Sequence, residues 1–339
     1  MDALAGRYDA FLEASRAGDR ARASAEFHAI LGLRPGVVPA GFSQVTPAGQ
    51  SLQRYDTLRK VDLVALSRGQ RAVAKFEDLS RAQASHLQRL ARTLGWQSAR
   101  RGPYARRYDR VASEPSQAGD RYSVAVSRGS GAREVLEAED DRSPEGTRRA
   151  GLLLGYPPCC VERFVEVSQS PEAREEGVNE AGLRAFVGEG EALPWRLNPL
   201  CTVSLVGFLP CGPGCAPALA FAQRVLDALA AEDRDGVRRV RATLVRPVLF
   251  FRYPLWFSFD GVVQGTDVVY RGALRNDDGE AHPAWTSWAE GIVGCALQVG
   301  EGVSLRDGVL AVTSPLGEVA RWRLTEPTVP RLLRFEDAG

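Results

Sequence analysis

Cys159 and Cys160 follow Gly155-Tyr156-Pro157-Pro158, and Cys211 and Cys215 enclose Gly212-Pro213-Gly214 directly after Pro210. Each of these proline-framed turns runs into an amphipathic stretch, Val161 to Val167 in one case and Ala216 to Leu229 in the other. That pattern predicts a helix start at each pair. At a helix N-terminus the unpaired backbone N–H groups and the positive end of the helix dipole favour thiolate over thiol. Thiolates held in this way bind metal, carry out redox chemistry or act as nucleophiles.

A metal centre needs three or four thiolates converging from segments that the fold brings together. The C-x3-C pair at 211 and 215 has the reach for this. Its glycines are expected to let the chain wrap closely around an inorganic centre, and Pro217 suits an early helical position. The adjacent pair is less usual, because successive helical residues point about 100° apart and seldom share one small ion. A cluster several Å across, or a non-helical turn at Pro158-Cys159, relaxes that objection. Adjacency therefore favours an iron–sulfur cluster of the 4Fe–4S type over a single zinc. Zinc in an all-cysteine site is the alternative, since His28, His86 and His282 all lie far from the cysteines in sequence.

Cys201, in Asn198-Pro199-Leu200-Cys201, is a reserve or replacement ligand if one of the adjacent pair is structural. Cys295, alone in Ile292-Val293-Gly294-Cys295-Ala296-Leu297, is expected to pack as a small hydrophobe. Sulfur-to-sulfur distances separate the possibilities. About 3.5–4 Å suits four ligands on one zinc, about 6–7 Å suits the corners of a cubane cluster, and pairs more than about 12 Å apart share no site.

The rest of the chain must position these turns. With 339 residues and 44% hydrophobic content it has enough material for two or three cored domains. Charged residues near Met1 stand where a secretory signal would need an apolar run, and no apolar stretch is long enough to span a membrane, so a cytoplasmic protein is expected. In that compartment thiols stay reduced, and clustered cysteines more often bind metal or exchange electrons than staple a fold. The formal net charge of +1 gives no general attraction to nucleic acid or membrane.

Apolar periodicity predicts two helices before Pro35, then a loop over residues 36–50. A β-hairpin is expected from Val61–Ser67 and Arg71–Phe76, its second arm being compatible with helix, followed by a helix from Ser80 to Leu94 closed by Gly95. A strand over Arg121–Val126 and a helix from Ser143 to Leu154 lead into the cysteine segments. From Pro247 the pattern turns to strands: Pro247–Tyr253, Leu255–Phe259, Gly261–Tyr270, Val303–Arg306, Val309–Thr313 and Val319–Leu324. The fold class is therefore α+β, with an α/β region over residues 1–120, a mainly helical cysteine-bearing region over 121–245 and a β-rich region over 246–339.

The run from Leu152 to Phe164, with Asn198-Pro199 and the Cys211 to Cys215 element downstream, resembles an uncharacterised archaeal and bacterial family marked by a Gly-Tyr-Pro-x-Cys-Cys element. The likeness covers about residues 120–275. It implies a shared site and supplies no reaction. In cysteine grammar only, with different spacings, the chain also resembles iron–sulfur enzymes of tRNA-base reduction and sulfur removal. That likeness would imply a redox or sulfur-chemistry enzyme acting on a small or RNA-borne substrate. A zinc-holding binding module and a thiol–disulfide oxidoreductase are the rival functions.

Other residues could also do chemistry. Arg100, Arg101, Arg106, Arg107 and Arg110 lie among Trp96, Tyr104 and Tyr108, a mixture of charge and stacking surface that suits RNA, although a solvated arginine-rich loop explains it as well. His282 could act as an acid or base beside Trp285 and Trp288. Glu162 could orient a ligand, or simply stabilise the first turn of its helix.

Overall fold

The computed structural model describes residues 61–104, 121–187, 192–200, 204–232, 234–252, 255–275, 293–324 and 330–336, together with Ala10, Glu13 and Arg22. The chain is α+β and divides into two compact units. One holds the described residues from 61 to 199 and 204 to 244, and the other holds Leu200 and the described residues from 245 to 336. The helices expected before Pro35 lie outside the described residues, apart from those three positions.

In the first unit, Val73–Ser80 (β1), Gln97–Tyr104 (β2) and Arg121–Ser127 (β3) form a sheet in the order β1-β3-β2, with β3 antiparallel to both neighbours. β1 and β2 therefore run parallel, joined by the crossover helix Arg81–Thr93 (α1). This sheet draws on both sides of residue 120. Tyr122 to Ser127 are all buried, because β3 is covered on both faces. Leu66, Phe76, Ala84, Leu87, Ala91, Val124 and Val126 form the core on one face. Val73, Ala125, Ala132, Val135, Leu136 and Leu154 form it on the other, where Ala132–Asp140 (α2) packs.

Residues 61–67 are helical rather than the first arm of a hairpin. Val61, Ala65 and Leu66 are its buried positions, a helical spacing that a run of apolar residues hides from a period-two search. The second arm is a strand from Val73 onward. Ser80 caps α1 with a capping box, its hydroxyl accepting from Gln83 N–H at 3.2 Å while the Gln83 side chain accepts from Ser80 N–H at 2.9 Å. Gly95, at φ 70°, closes the same helix.

Next come Pro144–Leu153 (α3), Pro158–Ser168 (α4), Pro171–Glu176 (α5), Val178–Val187 (α6), the short strand Ala192–Pro194 (β4), Ala216–Glu232 (α7) and Arg234–Leu244 (α8). Ser143 caps α3 as expected, its hydroxyl accepting from Gly146 N–H at 3.0 Å. Among the described residues no helix is long and apolar enough to cross a membrane.

The second unit is an antiparallel meander. Val248–Arg252 (β5), Leu255–Gln264 (β6), Asp267–Arg275 (β7), Gly302–Arg306 (β8), Val309–Ser314 (β9) and Gly317–Arg323 (β10) pair in sequence, and Arg331–Glu336 (β11) returns beside β5. The helix Gly294–Val299 (α9) supplies Cys295, Ala296, Leu297 and Val299 to a core with Phe257, Phe259, Tyr270, Val312 and Trp322.

The expected break at Asp260-Gly261 is a bulge within one continuous strand, and the turn lies instead at Gly265-Thr266. A Cβ on Gly261 would come within 2.3 Å of the Val269 carbonyl, so the bulge needs glycine for close backbone approach. Trp256 and Phe259 are buried as core residues, while Tyr253 lies outside the described residues.

Candidate metal centre

The Gly-Tyr-Pro-Pro element is a compact helix-to-helix turn. Tyr156 N–H reaches back to Gly151 O at 3.1 Å and Gly155 N–H to Leu152 O at 3.0 Å, a Schellman closure of α3 with Gly155 at φ 76°. Pro157 then precedes α4 and Pro158 opens it, since a first-turn residue needs no N–H donor. Cys159 and Cys160 thus fall in the first turn of α4.

Two contacts fix the angle between α3 and α4. Val161 nestles over Gly151, where an added Cβ would lie 2.8 Å from a valine methyl. Arg148 donates to both carboxylate oxygens of Glu162, at 2.7 and 3.0 Å. Arg148 holds the Glu162 carboxyl below its usual range, so Glu162 joins two helices rather than serving a ligand.

The second turn is fastened to the same unit. Arg71 is buried and reaches Asp62 at 3.1 Å and the Leu205 carbonyl at 3.4 Å. Gly207 lies against its guanidinium, where a Cβ would sit 2.9 Å from Nη1. Leu209 packs over Gly182 of α6 in a similarly close approach. Phe208 stacks between Tyr156 and Phe221, at centroid distances of 4.8 and 5.4 Å, and so links the first cysteine turn to the second through α7.

Cys215 occupies the N-cap position of α7: its carbonyl accepts from Leu219 N–H at 3.0 Å, and its own N–H closes a turn onto Gly212 O at 3.2 Å. Gly212 and Gly214 lie between Cys211 and Cys215. Neither has a positive φ, and a Cβ on either would meet no protein atom within 4 Å, so the polypeptide itself does not require glycine there.

The turns bring four sulfurs together. The Sγ atoms of Cys159, Cys160, Cys211 and Cys215 all lie within 4.8 Å of one another. Cys160 to Cys215 is 3.6 Å, Cys159 to Cys215 is 3.7 Å and Cys159 to Cys160 is 4.0 Å. The objection to adjacent helical residues therefore does not apply. Cys159 and Cys160 lie in the first turn of α4, and their Sγ atoms stand 4.0 Å apart and both within 3.7 Å of Cys215 Sγ. Cys160 and Cys215 are buried, Cys211 is half-buried and Cys159 is exposed, and none forms a disulfide.

Both helix N-termini direct their positive ends at these sulfurs. The Cys211 backbone N–H donates to Cys160 Sγ, and the Ala218 N–H donates to Cys215 Sγ. Burial dominates at Cys160 and pushes its thiol up. Burial also raises Cys211, to about 11, helped by its interactions with Cys215 and Cys159. Burial opposes ionisation at Cys215 too, but donation from Ala218 N–H and the neighbouring thiols outweighs it and moves that thiol down. Neighbouring thiols that favour ionisation at Cys215 are arranged as ligands around a cation would be. A cation supplies the positive charge that lets the remaining thiols ionise.

Cys201 lies outside the described residues, as do His28, His282, Trp285 and Trp288. His86 is exposed on α1. Asn198 is fully buried and donates to the Leu244 carbonyl at 2.7 Å, terminating α8 rather than serving the cysteines. Arg100 and Arg101 belong to β2, not to a loop: Arg100 stacks over Tyr122 with 5.0 Å to the ring centroid, and Arg101 pairs with Glu139 and Asp140 at 3.3 and 2.7 Å. Arg106, Arg107 and Arg110 lie outside the described residues.

Sequence reasoning missed the Arg71–Leu205 anchor and the Tyr156-Phe208-Phe221 stack. The only sequence signal was the aromatic residue inside each cysteine segment. Comparison with protein-family models, curated proteins and solved structures finds no match.

Proposed function

We propose that the chain holds a single zinc ion in a tetrahedral site made by Cys159, Cys160, Cys211 and Cys215, and that the ion ties the first turn of α4 to the start of α7. One observation carries this. A Zn–S bond of about 2.3 Å puts the corners of a tetrahedron about 3.8 Å apart, and the sulfur pairs among Cys159, Cys160 and Cys215 are separated by 3.6, 3.7 and 4.0 Å, with Cys211 within 4.8 Å of each. Cubane ligands need corners about 6–7 Å apart, so a 4Fe–4S cluster would require every pair to spread. A closed four-thiolate shell leaves no open position for substrate and suits a structural centre. The chain then acts as a metal-dependent binding module rather than a redox enzyme.

The test is metal analysis of the protein purified anaerobically, paired with cobalt(II) substitution. One zinc per chain, with intense thiolate-to-cobalt charge transfer and tetrahedral ligand-field bands, supports the proposal. A brown protein containing iron and acid-labile sulfide in equal amounts sinks it. A metal-free chain whose thiols cycle through a disulfide would favour the oxidoreductase instead.

A further inference from the structure

The three-stranded sheet ends at β2, and among the described residues no strand bonds to its outer side. A groove of about 990 Å³ follows that edge, walled by Arg92 and Trp96 on the α1 side and by Arg133, Glu137 and Asp140 of α2, with Gln97 to Arg101 along its floor. Soluble proteins blunt exposed edges with proline, bulges or a covering element. On β2 the irregular pairing between Arg101 and Tyr104 and the proline at 103 come only after these residues, so the edge from 97 to 101 keeps regular strand geometry.

We propose that this edge pairs, antiparallel and about a two-fold axis, with the β2 edge of a second copy of the chain. An axis perpendicular to the sheet keeps α2 beside the α2 of the other copy and reverses its direction. Arg133 stands near the start of α2, Glu137 one turn later and Asp140 at its end, all lining the groove. Spacings of four and seven residues put them on a single stripe. Reversal therefore brings Arg133 of each copy to the acidic end of the other, twice over, while the two β2 backbones complete one continuous sheet.

The same walls give a nucleic acid no continuous basic track. Glu134, Glu137 and Asp140 interrupt the positive charge of Arg92, Arg100 and Arg133, and Arg101 is already paired with Glu139 and Asp140.

Sedimentation velocity over a concentration series on the metal-loaded full chain tests this. The expected result is a reversible dimer, with a dissociation constant raised at least about tenfold by either Arg133→Glu or Glu137→Arg and largely restored in the double swap R133E/E137R. Hydrogen exchange on the unaltered chain covers the case of a variant that misfolds: amides of residues 97–101 should exchange more slowly as the dimer forms. A chain that is monomeric at every concentration overturns the proposal. So does a dimer that leaves exchange in β2 unchanged, or a dimer indifferent to both single substitutions. A monomer that binds a labelled single-stranded RNA and loses it on Arg100→Glu assigns the groove to nucleic acid and likewise overturns it.

Discussion

Cys160 and Cys295 are both buried thiols in helices, one in each unit, and their surroundings give them opposite chemistry. Cys295 sits in α9 among Ala296, Leu297, Val299 and the aromatic side chains of the meander, and burial alone pushes its thiol up to about 12. Among the described residues it belongs to no group of converging metal-ligating side chains. Cys160 is equally buried, yet it stands in the first turn of its helix, takes a backbone N–H from Cys211 and lies 3.6 Å from Cys215. Burial by itself makes a thiol inert. Burial at a helix terminus, with oriented N–H groups and converging sulfurs, gives it the surroundings of a ligand that could hold a cation.

The comparison breaks most sharply at the shared sulfurs. Replacing Cys215 by Ser removes the thiol that contacts both members of the adjacent pair while keeping a residue able to cap α7. Zinc affinity should fall by more than about 100-fold in competition with a chromophoric chelator. The unaltered chain should lose thermal stability on metal removal, by about 4 kcal/mol when free zinc had been about a thousand times its Kd. The second unit's tryptophan environment should be the later of the two to change on heating.

Acid should act next most strongly. Because Cys160 and Cys211 have raised pKa values in the metal-free chain, both hold their protons at neutral pH and zinc must expel them. Affinity therefore rises with pH and falls toward acid, by at least about 100-fold per pH unit from the protons displaced at these two thiols. Isothermal titration in buffers of different ionisation enthalpy checks the proton count. Release of no protons would mean that these thiols are not ligands.

Gly155→Val tests the turn itself. At φ 76° a β-branched residue is strained by about 1–2 kcal/mol, which should appear in the urea midpoint together with a measurable loss of zinc affinity. If stability drops and affinity does not, α4 is positioned by the Arg148–Glu162 and Gly151–Val161 contacts rather than by the turn.

In the other unit, Cys295→Ala should cost only about 1 kcal/mol and leave metal content unchanged. Altered metal content would refute the contrast between the two thiols. The smallest effect is expected at Gly212→Ala, where a Cβ meets no protein atom. Zinc binding should persist and stability should change by less than about 1 kcal/mol.

Local signals in the chain determined much of this. Ser80 and Ser143 each carry the oxygen that accepts a first-turn N–H, Gly155 adopts a backbone conformation most residues avoid, and Pro158 opens a helix where no donor is needed. Those preferences act over a few residues, so the α+β class and the placement of both cysteine pairs at helix starts were legible. Most strands of the meander were legible for the same reason, while Arg331–Glu336 was not expected and the β6 to β7 turn lies beyond the expected break. Non-local quantities were not. Residues 61–67 are apolar enough for strand or helix, and only their burial beside Phe76 and Val124 selects helix. The bulge at Gly261 depends on the approach of Val269 from the next strand.

Sulfur spacing is the strongest example. Sequence adjacency of Cys159 and Cys160 argued for a wide cluster, because side chains leave a helix about 100° apart. The tertiary structure alone sets the spacing, by bringing the first turn of α4 against the Cys211 to Cys215 turn so that all four sulfurs lie within 4.8 Å of one another. Fifty-five residues separate Cys160 from Cys215, and the 3.6 Å between their sulfurs depends on Arg71, Phe208 and Leu209 holding that turn in place.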